Sequence, residues 1–232
     1  ISPDGVQIWN KRSGLYEHSK IIDVDGDDNL FVANYLDSSP MRVLKVSGAD
    51  GTLLWSQIID VSSTVNNQQY TLAIDSAGDV YVGLRHSSYR LYKRRGTDGE
   101  LLWIAPIASG DRVHSVTVDE DGYVYINTLG NVLKKLDQSN ADSETEPTVM
   151  WSKNDITAGF YNSLFLDGRG YVYDIYNKVD IATQTELWGS RFADQEVRLQ
   201  HIDADDNLYF TFTKNDENDN PVYYLIKAQY NF

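Results

Sequence analysis

Cysteine is absent from the chain, which excludes disulfides, thiolate metal sites and cysteine nucleophiles together. No apolar run approaches the roughly 18 residues of a bilayer-spanning helix, and the N-terminus carries none of the charge and apolar patterning of a signal peptide. Positive charge is scarce. Twenty Lys and Arg stand against 34 Asp and Glu, a net charge of −14, so the basic footprint that nucleic-acid backbones require is missing. The expectation is no nucleic-acid partner and no membrane insertion. Sustained helical periodicity is lacking too: no stretch keeps an apolar stripe at a 3.6-residue spacing, while strand-type alternation dominates. The first residue is Ile1 rather than methionine, the expected mark of a processed product or of part of a longer chain.

Against these absences stand 16 tyrosines, five tryptophans and a repeat. Five segments can be stacked on one another: IIDVDGDDNLFV (21–32), TLAIDSAGDVYV (71–82), SVTVDEDGYVYI (115–126), SLFLDGRGYVYD (163–174) and LQHIDADDNLYF (199–210). Aligned on Phe31, Tyr81, Tyr125, Tyr173 and Tyr209, each copy has an aspartate six positions earlier: Asp25, Asp75, Asp119, Asp167 and Asp203. Three positions before the aromatic stands Asp28, Gly78, Gly122, Gly170 or Asp206. The pattern predicts a hairpin in every copy, with Asp opening the turn by accepting from backbone amides ahead of it and Gly taking the positive φ that closes it. In the two copies without Gly, the following Asn29 and Asn207 are expected to take the left-handed conformation.

A second piece follows each hairpin. LKVSGADGTLLW (44–55) and YKRRGTDGELLW (92–103) match closely, LKKLDQSNADSETEPTVMW (133–151) has a longer loop, and VDIATQTELW (179–188) a shorter one. Each reads as a third strand, a polar turn and a fourth strand ending in Trp. The fifth hairpin is followed by a third strand, Tyr223 to Ala228, but by no Trp-bearing fourth strand before Phe232. Its counterpart stands at the other terminus, where PDGVQIW (3–9) repeats the DGTLLW and DGELLW endings. Trp9, Trp55, Trp103, Trp151 and Trp188 are therefore equivalent, at intervals of 46, 48, 48 and 37 residues. Four-stranded sheets of this size bury both faces only between neighbours, which is the construction of a β-propeller. The expected fold is all-β: a single five-bladed propeller over residues 1–232, with blades at about 18–55, 68–103, 113–151, 160–188 and 198–228, the last completed by 3–9. The five tryptophans and the five aspartates are expected to be structural blade anchors.

The unit Asp-x-x-Gly-x-Val-Tyr-Val, a leucine-rich third strand and Gly-x-x-x-Trp resembles the repeat of pyrroloquinoline-quinone-type propellers, the quinoprotein alcohol dehydrogenase-like superfamily. The resemblance covers nearly the whole chain. Quinone-dependent members use more blades, a calcium ion and often a vicinal cysteine pair; this chain has five repeats and no cysteine. What the resemblance implies here is a non-catalytic member, a scaffold or docking platform without cofactor.

Asp23, Asp25, Asp27 and Asn29 have the alternate spacing of calcium ligands, but the glycine and terminal glutamate of an EF-hand loop are missing. The acidic run 215–220 reads as a solvated loop. His18, His86, His114 and His201 fall at non-equivalent positions with no zinc spacing. Asp23, Asp111 and Glu196 are the carboxylates that could reach a central channel as glycosidase acids. No nucleophile elbow or phosphate loop occurs.

Two surface expectations follow from the repeat. The loops joining first to second and third to fourth strands gather most of the acids, including Asp27, Asp50, Asp98, Asp121, Asp137 and Asp142, whereas the opposite face receives Lys11, Arg12, Arg85, Arg112, Lys153, Arg191 and Lys214. Lys20, Tyr70, Arg112, His114, Asn162 and Arg198 are expected to ring one mouth of the channel, where they could contact a partner or hold a glycan or anion. The leading functional reading is a non-enzymatic interaction module in a larger extracellular, cell-surface or virion assembly. The rivals are a glycan or anion binder, and an enzyme, either glycoside hydrolase or quinone-dependent.

Overall fold

The computed structural model describes residues 7–10, 21–34, 41–59, 70–84, 90–107, 112–154, 156, 164–173, 178–188, 197–202, 207–215 and 221–229. Among them there are strands and turns and no helix. The first sheet holds β1 (Ile21–Val24), β2 (Leu30–Asn34), β3 (Arg42–Val46) and β4 (Leu53–Ile58). The second holds β5 (Tyr70–Ile74), β6 (Val80–Leu84), β7 (Arg90–Arg94) and β8 (Leu101–Pro106). The third holds β9 (Val113–Val118), β10 (Val124–Thr128), β11 (Leu133–Asp137) and β12 (Thr148–Lys153), and the fourth β13 (Phe165–Leu166), β14 (Tyr171–Tyr173), β15 (Lys178–Asp180) and β16 (Glu186–Trp188). A last sheet has β17 (Val197–Ile202), β18 (Asn207–Asn215) and β19 (Pro221–Gln229). Every sheet is antiparallel, with sequence neighbours as sheet neighbours. This all-β meander of four-stranded sheets is consistent with a propeller.

The hairpin turns form for the reason the repeat gives. Asp25 Oδ1 accepts from the amides of Asp27 and Asn29 at 3.0 and 2.9 Å. Asp75 Oδ1 does the same for Ala77 and Asp79, and Asp167 Oδ1 for Arg169 and Tyr171; Asp119 Oδ1 accepts from the Tyr123 amide. Gly78, Gly122 and Gly170 close their turns at φ of +81°, +83° and +99°. In the first repeat the expectation needs correcting: the left-handed residue is Asp28, at φ +62°, not Asn29. Asn29 instead stays in the extended chain, and its side-chain amide donates to the Asp25 carboxylate at 3.2 Å. Asp203 and Asp206 lie outside the described residues.

One row of side chains runs across each complete sheet. The landmark aromatic faces a lysine of the third strand, which faces the tryptophan of the fourth: Phe31, Lys45 and Trp55; Tyr81, Lys93 and Trp103; Tyr125, Lys135 and Trp151; Tyr173, Lys178 and Trp188. In all four sheets the pairing shifts register immediately after that lysine, a bulge that adds local twist to the outer strand. Tyr209 and Lys227 start the same row in the last sheet.

The sheets pack face to face. The face of the first sheet carrying Phe31, Val43 and Trp55 packs on Leu72, Val80 and Val82 of the second. Tyr81, Leu91 and Trp103 pack on Val116, Val124 and Ile126 of the third, and Tyr125 and Leu133 on Val172 and Val179 of the fourth. First strands lie against first strands, β1 on β5, β5 on β9 and β9 on β13. In the first three sheets the tryptophan ring meets its row's aromatic edge-on, at centroid distances of 5.7 Å for Phe31 and Trp55, 5.8 Å for Tyr81 and Trp103 and 6.3 Å for Tyr125 and Trp151. Trp55 also reaches across, donating its indole N–H to the Gly96 carbonyl of the second sheet at 3.0 Å. A Cβ on Gly96 would stand 1.9 Å from the Gly78 oxygen, and one on Gly48 1.9 Å from the Asp28 oxygen; only glycine fits either turn.

Candidate functional site

The most conspicuous titratable groups are the row lysines and the turn aspartates. Lys45 Nζ lies 2.8 Å from Asp25 Oδ2 and 5.0 Å from the Phe31 ring centre, and donates to the Gly96 carbonyl at 3.0 Å. Lys93 Nζ lies 3.1 Å from Asp75, 3.2 Å from Asp79 and 5.0 Å from the Tyr81 ring centre. Lys135 is 4.0 Å from Asp119 and 5.3 Å from the Tyr125 ring centre. Lys178 and Lys227 sit over Tyr173 and Tyr209 at 5.0 and 5.3 Å. The tyrosine hydroxyls close the network by donating to the turn aspartates: Tyr81 to Asp75 at 2.8 Å, Tyr125 to Asp119 and Tyr173 to Asp167 at 3.0 Å.

Lysine, tyrosine and aspartate in contact can be a proton relay, but the two most enclosed tyrosines are shifted away from proton release here. Burial, followed by the charge of Asp75, pushes the Tyr81 hydroxyl far above its ordinary pKa, and burial with the charge of Asp119 does the same to Tyr125. A base would need the opposite shift. Burial alone would raise Asp25, but bonds from Lys45, Asn29 and the Asp27 amide outweigh it and hold the carboxyl below the usual range. These networks tie β1–β2 type turns to the third strand. The lysines went unnoticed in the sequence because their distance from the aromatic varies with hairpin length, 14, 12, 10, 5 and 18 residues; cross-strand register is the signal that finds them.

The residues expected at a channel mouth are partly in view. Lys20 and Asn162 lie outside the described residues. Tyr70 opens β5 and Arg198 is the second residue of β17. Arg112 precedes β9 and is half-buried, and His114 within β9 is 4% exposed. The adjacency of β5 and β9 brings Tyr70, Arg112 and His114 to neighbouring strands. Of the carboxylates considered for hydrolysis, Asp111 and Glu196 fall outside the described residues. Asp23 lies on β1, its carboxyl raised by burial against the bonds it accepts from the amides of Val24 and Ile74. Of the atoms considered for calcium, both Asp25 oxygens are engaged by Asn29 and Asp25 Oδ2 by Lys45. Among the described residues, no group of three or more His, Asp or Glu is placed to hold a metal ion.

A cleft that the sequence reading missed lies between the second and third sheets, with a volume of about 520 Å³. It is lined by Lys93, Leu102, Trp103, Asp121, Gly122, Tyr123, Asp137, Gln138, Ser139, Ala141 and Asp142. The longer loop after β11 builds one wall. Gln138 stands where the first two repeats have Gly48 and Gly96, so its side chain replaces a backbone carbonyl: Trp103 Nε1 donates to Gln138 Oε1 at 3.3 Å, and Gln138 Nε2 donates to the Tyr81 hydroxyl and the Gly122 carbonyl at 2.7 and 2.6 Å. Asp137 caps the Ser139 amide and Asp142 those of Glu144 and Thr145, each at 2.8 Å. These amides, Ser139 for Asp137 and Glu144 for Asp142, lower both carboxyl pKa values.

Comparison with known proteins agrees with this geometry. The family model described as "Outer membrane protein assembly factor BamB", of PQQ type, matches residues 2–220. No curated protein matches the sequence. Among solved structures, BamB from Moraxella catarrhalis superposes with a TM-score of 0.50 at 12% identity, covering 82% of this chain and 57% of that one. The dihydro-heme d1 dehydrogenase NirN gives 0.55 at 13%, covering 91% and 47%, and the WD40 repeats of RRP9 give 0.59 at 15%, covering 86% and 58%. The chain thus spans about half the length of the structures it resembles, and at these identities the likeness is one of fold. With the family model matching across nearly all of its repeats, the chain belongs to the BamB family of PQQ-type propeller proteins.

Proposed function

We propose that the chain is a non-enzymatic propeller scaffold that holds a protein partner within a larger assembly. The observation that carries this reading is an apolar belt on the outer strands. The residue before each row tryptophan is apolar, and Ile8, Leu54, Met150 and Leu187 are 45–55% exposed. Leu53 and Val149 widen the belt. A recurring exposed apolar position on the outermost strand fits a surface that meets other proteins. The matched family is described as an assembly factor, which is of the same kind. The turn aspartate recurs as partner of the row lysine in the first three repeats and of the row tyrosine in the second to fourth, a recurrence that favours a structural use over a catalytic one.

Within the same proposal, five blades close into a ring when the N-terminal strand completes the last sheet. Trp9 donates its indole N–H to the Gly48 carbonyl at 2.7 Å and packs with Val32, Leu44 and Val46. That is the relation of Trp55 to Gly96 in the following sheet, so Trp9 stands to the first sheet as the tryptophan of a preceding blade would. Among the described residues β19 is the last strand of a three-stranded sheet, with Tyr223 and Leu225 79% and 72% exposed, and a fourth strand there would place Trp9 opposite Lys227.

Cross-linking in the native source, read by mass spectrometry, tests the scaffold reading. The expected result is one recurrent protein partner, joined through residues flanking Leu54, Met150 or Leu187, with an interface burying about 1,000 Å² or more. Recovery of the chain solely as free monomer, or dye reduction on addition of pyrroloquinoline quinone and calcium, would overturn it.

A further inference from the structure

We infer that the cleft between the second and third sheets is a docking site for an arginine- or lysine-bearing extended segment of a partner protein; this rests on the scaffold reading and names the chemistry of the partner. The volume, about 520 Å³, is in the range of clefts that enclose a ligand, roughly 300–1,000 Å³. Its charge selects the occupant. Asp121, Asp137 and Asp142 line it, and the one cation in the lining, Lys93, is already bonded to Asp75 and Asp79. Asp137 feels the charge of Lys135, which is itself 4.0 Å from Asp119, but among the described residues none of those three carboxylates has a cation within 4 Å. They are too dispersed to gather on a metal ion and suit instead the spread charge of guanidinium or ammonium groups along a peptide. Stacking on a sugar is limited: Trp103 is 2% exposed, and one face of the Tyr123 ring carries Lys135 Nζ at 3.8 Å from its centre.

Among the described residues the wall beside Leu102 has no counterpart at Leu54 or Met150. Elsewhere the apolar residue before the tryptophan is open to solvent, as at Leu54 and Met150. Here Leu102 is half-buried and packs in the same cluster as Ala141 of the longer loop. That loop is held rigid by the Ala141 amide on the Gln138 carbonyl at 3.0 Å and by the mutual bonds of Asp142 and Thr145. The result is a walled slot with an apolar side at Leu102 and an acidic rim, matched to the aliphatic stem and charged head of a long basic side chain.

The test uses the full chain and an amidated peptide alternating arginine with glycine, beside its citrulline counterpart, which keeps the shape and loses the charge. Titration is followed by NMR at the Trp103 Nε1–H and the Gln138 side-chain amide. The expected result is saturable shifts with the arginine peptide, none with the citrulline peptide, and an affinity reduced about tenfold or more in the Asp121→Asn, Asp137→Asn, Asp142→Asn variant. Asn keeps the turn-capping oxygen, and an unchanged melting temperature certifies the fold. A control of equal charge, Asp27→Asn, Asp50→Asn, Glu186→Gln, should stay within about threefold of the parent, a screened long-range effect only. No shift at Trp103 or Gln138 up to saturation, or an equal loss in the control, overturns the inference. Either outcome leaves the cross-linking result to decide the scaffold reading separately.

Discussion

Replacing Lys45 with methionine isolates the energetics of the repeated row. The ammonium lies 2.8 Å from Asp25 with side chains only 11% and 5% exposed, and it also bonds the Gly96 carbonyl of the next sheet. Methionine keeps most of the apolar stem but leaves the Asp25 carboxylate enclosed without its cation. Removing one partner of such a pair costs about 3–5 kcal/mol. For a domain of this length, at about 2–4 °C per kcal/mol, Lys45→Met should lower Tm by roughly 6–20 °C in a calorimetric scan. Adding Asp25→Asn removes the stranded charge while keeping an oxygen for the amides of Asp27 and Asn29, so the double variant should recover part of the loss. The pH dependence has a definite sign. Asp25 has a lowered folded pKa, so its contribution is present above the unfolded carboxyl pKa and is lost as pH falls through the folded value. In Lys45→Met the folded pKa of Asp25 rises toward the unfolded value, so less is lost at this site on acidification and the deficit relative to the parent should narrow as pH falls. A Tm within about 2 °C of the parent, with no rescue by Asp25→Asn, would refute the assignment of the row as a buried charge network.

Other outcomes follow from the same geometry. Gly78→Ala should cost about 1–2 kcal/mol in urea unfolding through φ alone, since nothing lies within 4 Å of the added Cβ, whereas Asp28→Gly at the equivalent position should cost nothing. Gly96→Ala should be far worse, because its Cβ would meet backbone at 1.9 Å; equal losses at Gly78 and Gly96 would contradict this. Gln138→Leu leaves the Trp103 indole and the Tyr81 hydroxyl without their shared partner, a loss of about 1–3 kcal/mol with a shift in tryptophan emission. Deleting residues 1–10 should destabilise the entire domain, and unchanged thermal unfolding would count against closure through Trp9.

Much of the fold is written locally. The aspartate of each hairpin turn and the positive-φ glycine are within a few residues of each other, so Asp75 and Gly78 could be placed from spacing alone. Local propensity favours Asn29 for the left-handed position over Asp28, but the Asn29 side chain is drawn to the Asp25 carboxylate by contacts that close only in three dimensions. The row lysines were hidden by variable hairpin length, although register brings each opposite its aromatic. The cleft was illegible for a different reason. It depends on Gln138 taking the place of a glycine and on a loop folding back over Leu102 from a neighbouring sheet, and neither produces a recurring signal in the chain.

Closure of the ring can be measured directly, since a chain without cysteine accepts an engineered pair unambiguously. By the strand register of the first sheet, with Trp9 opposite Lys227, Asn10 should face Ile226. Oxidation of the Asn10→Cys, Ile226→Cys variant is predicted to give a complete intramolecular disulfide and a raised Tm. Thiols that stay reduced, or that link only between molecules, would contradict a last sheet assembled from both termini.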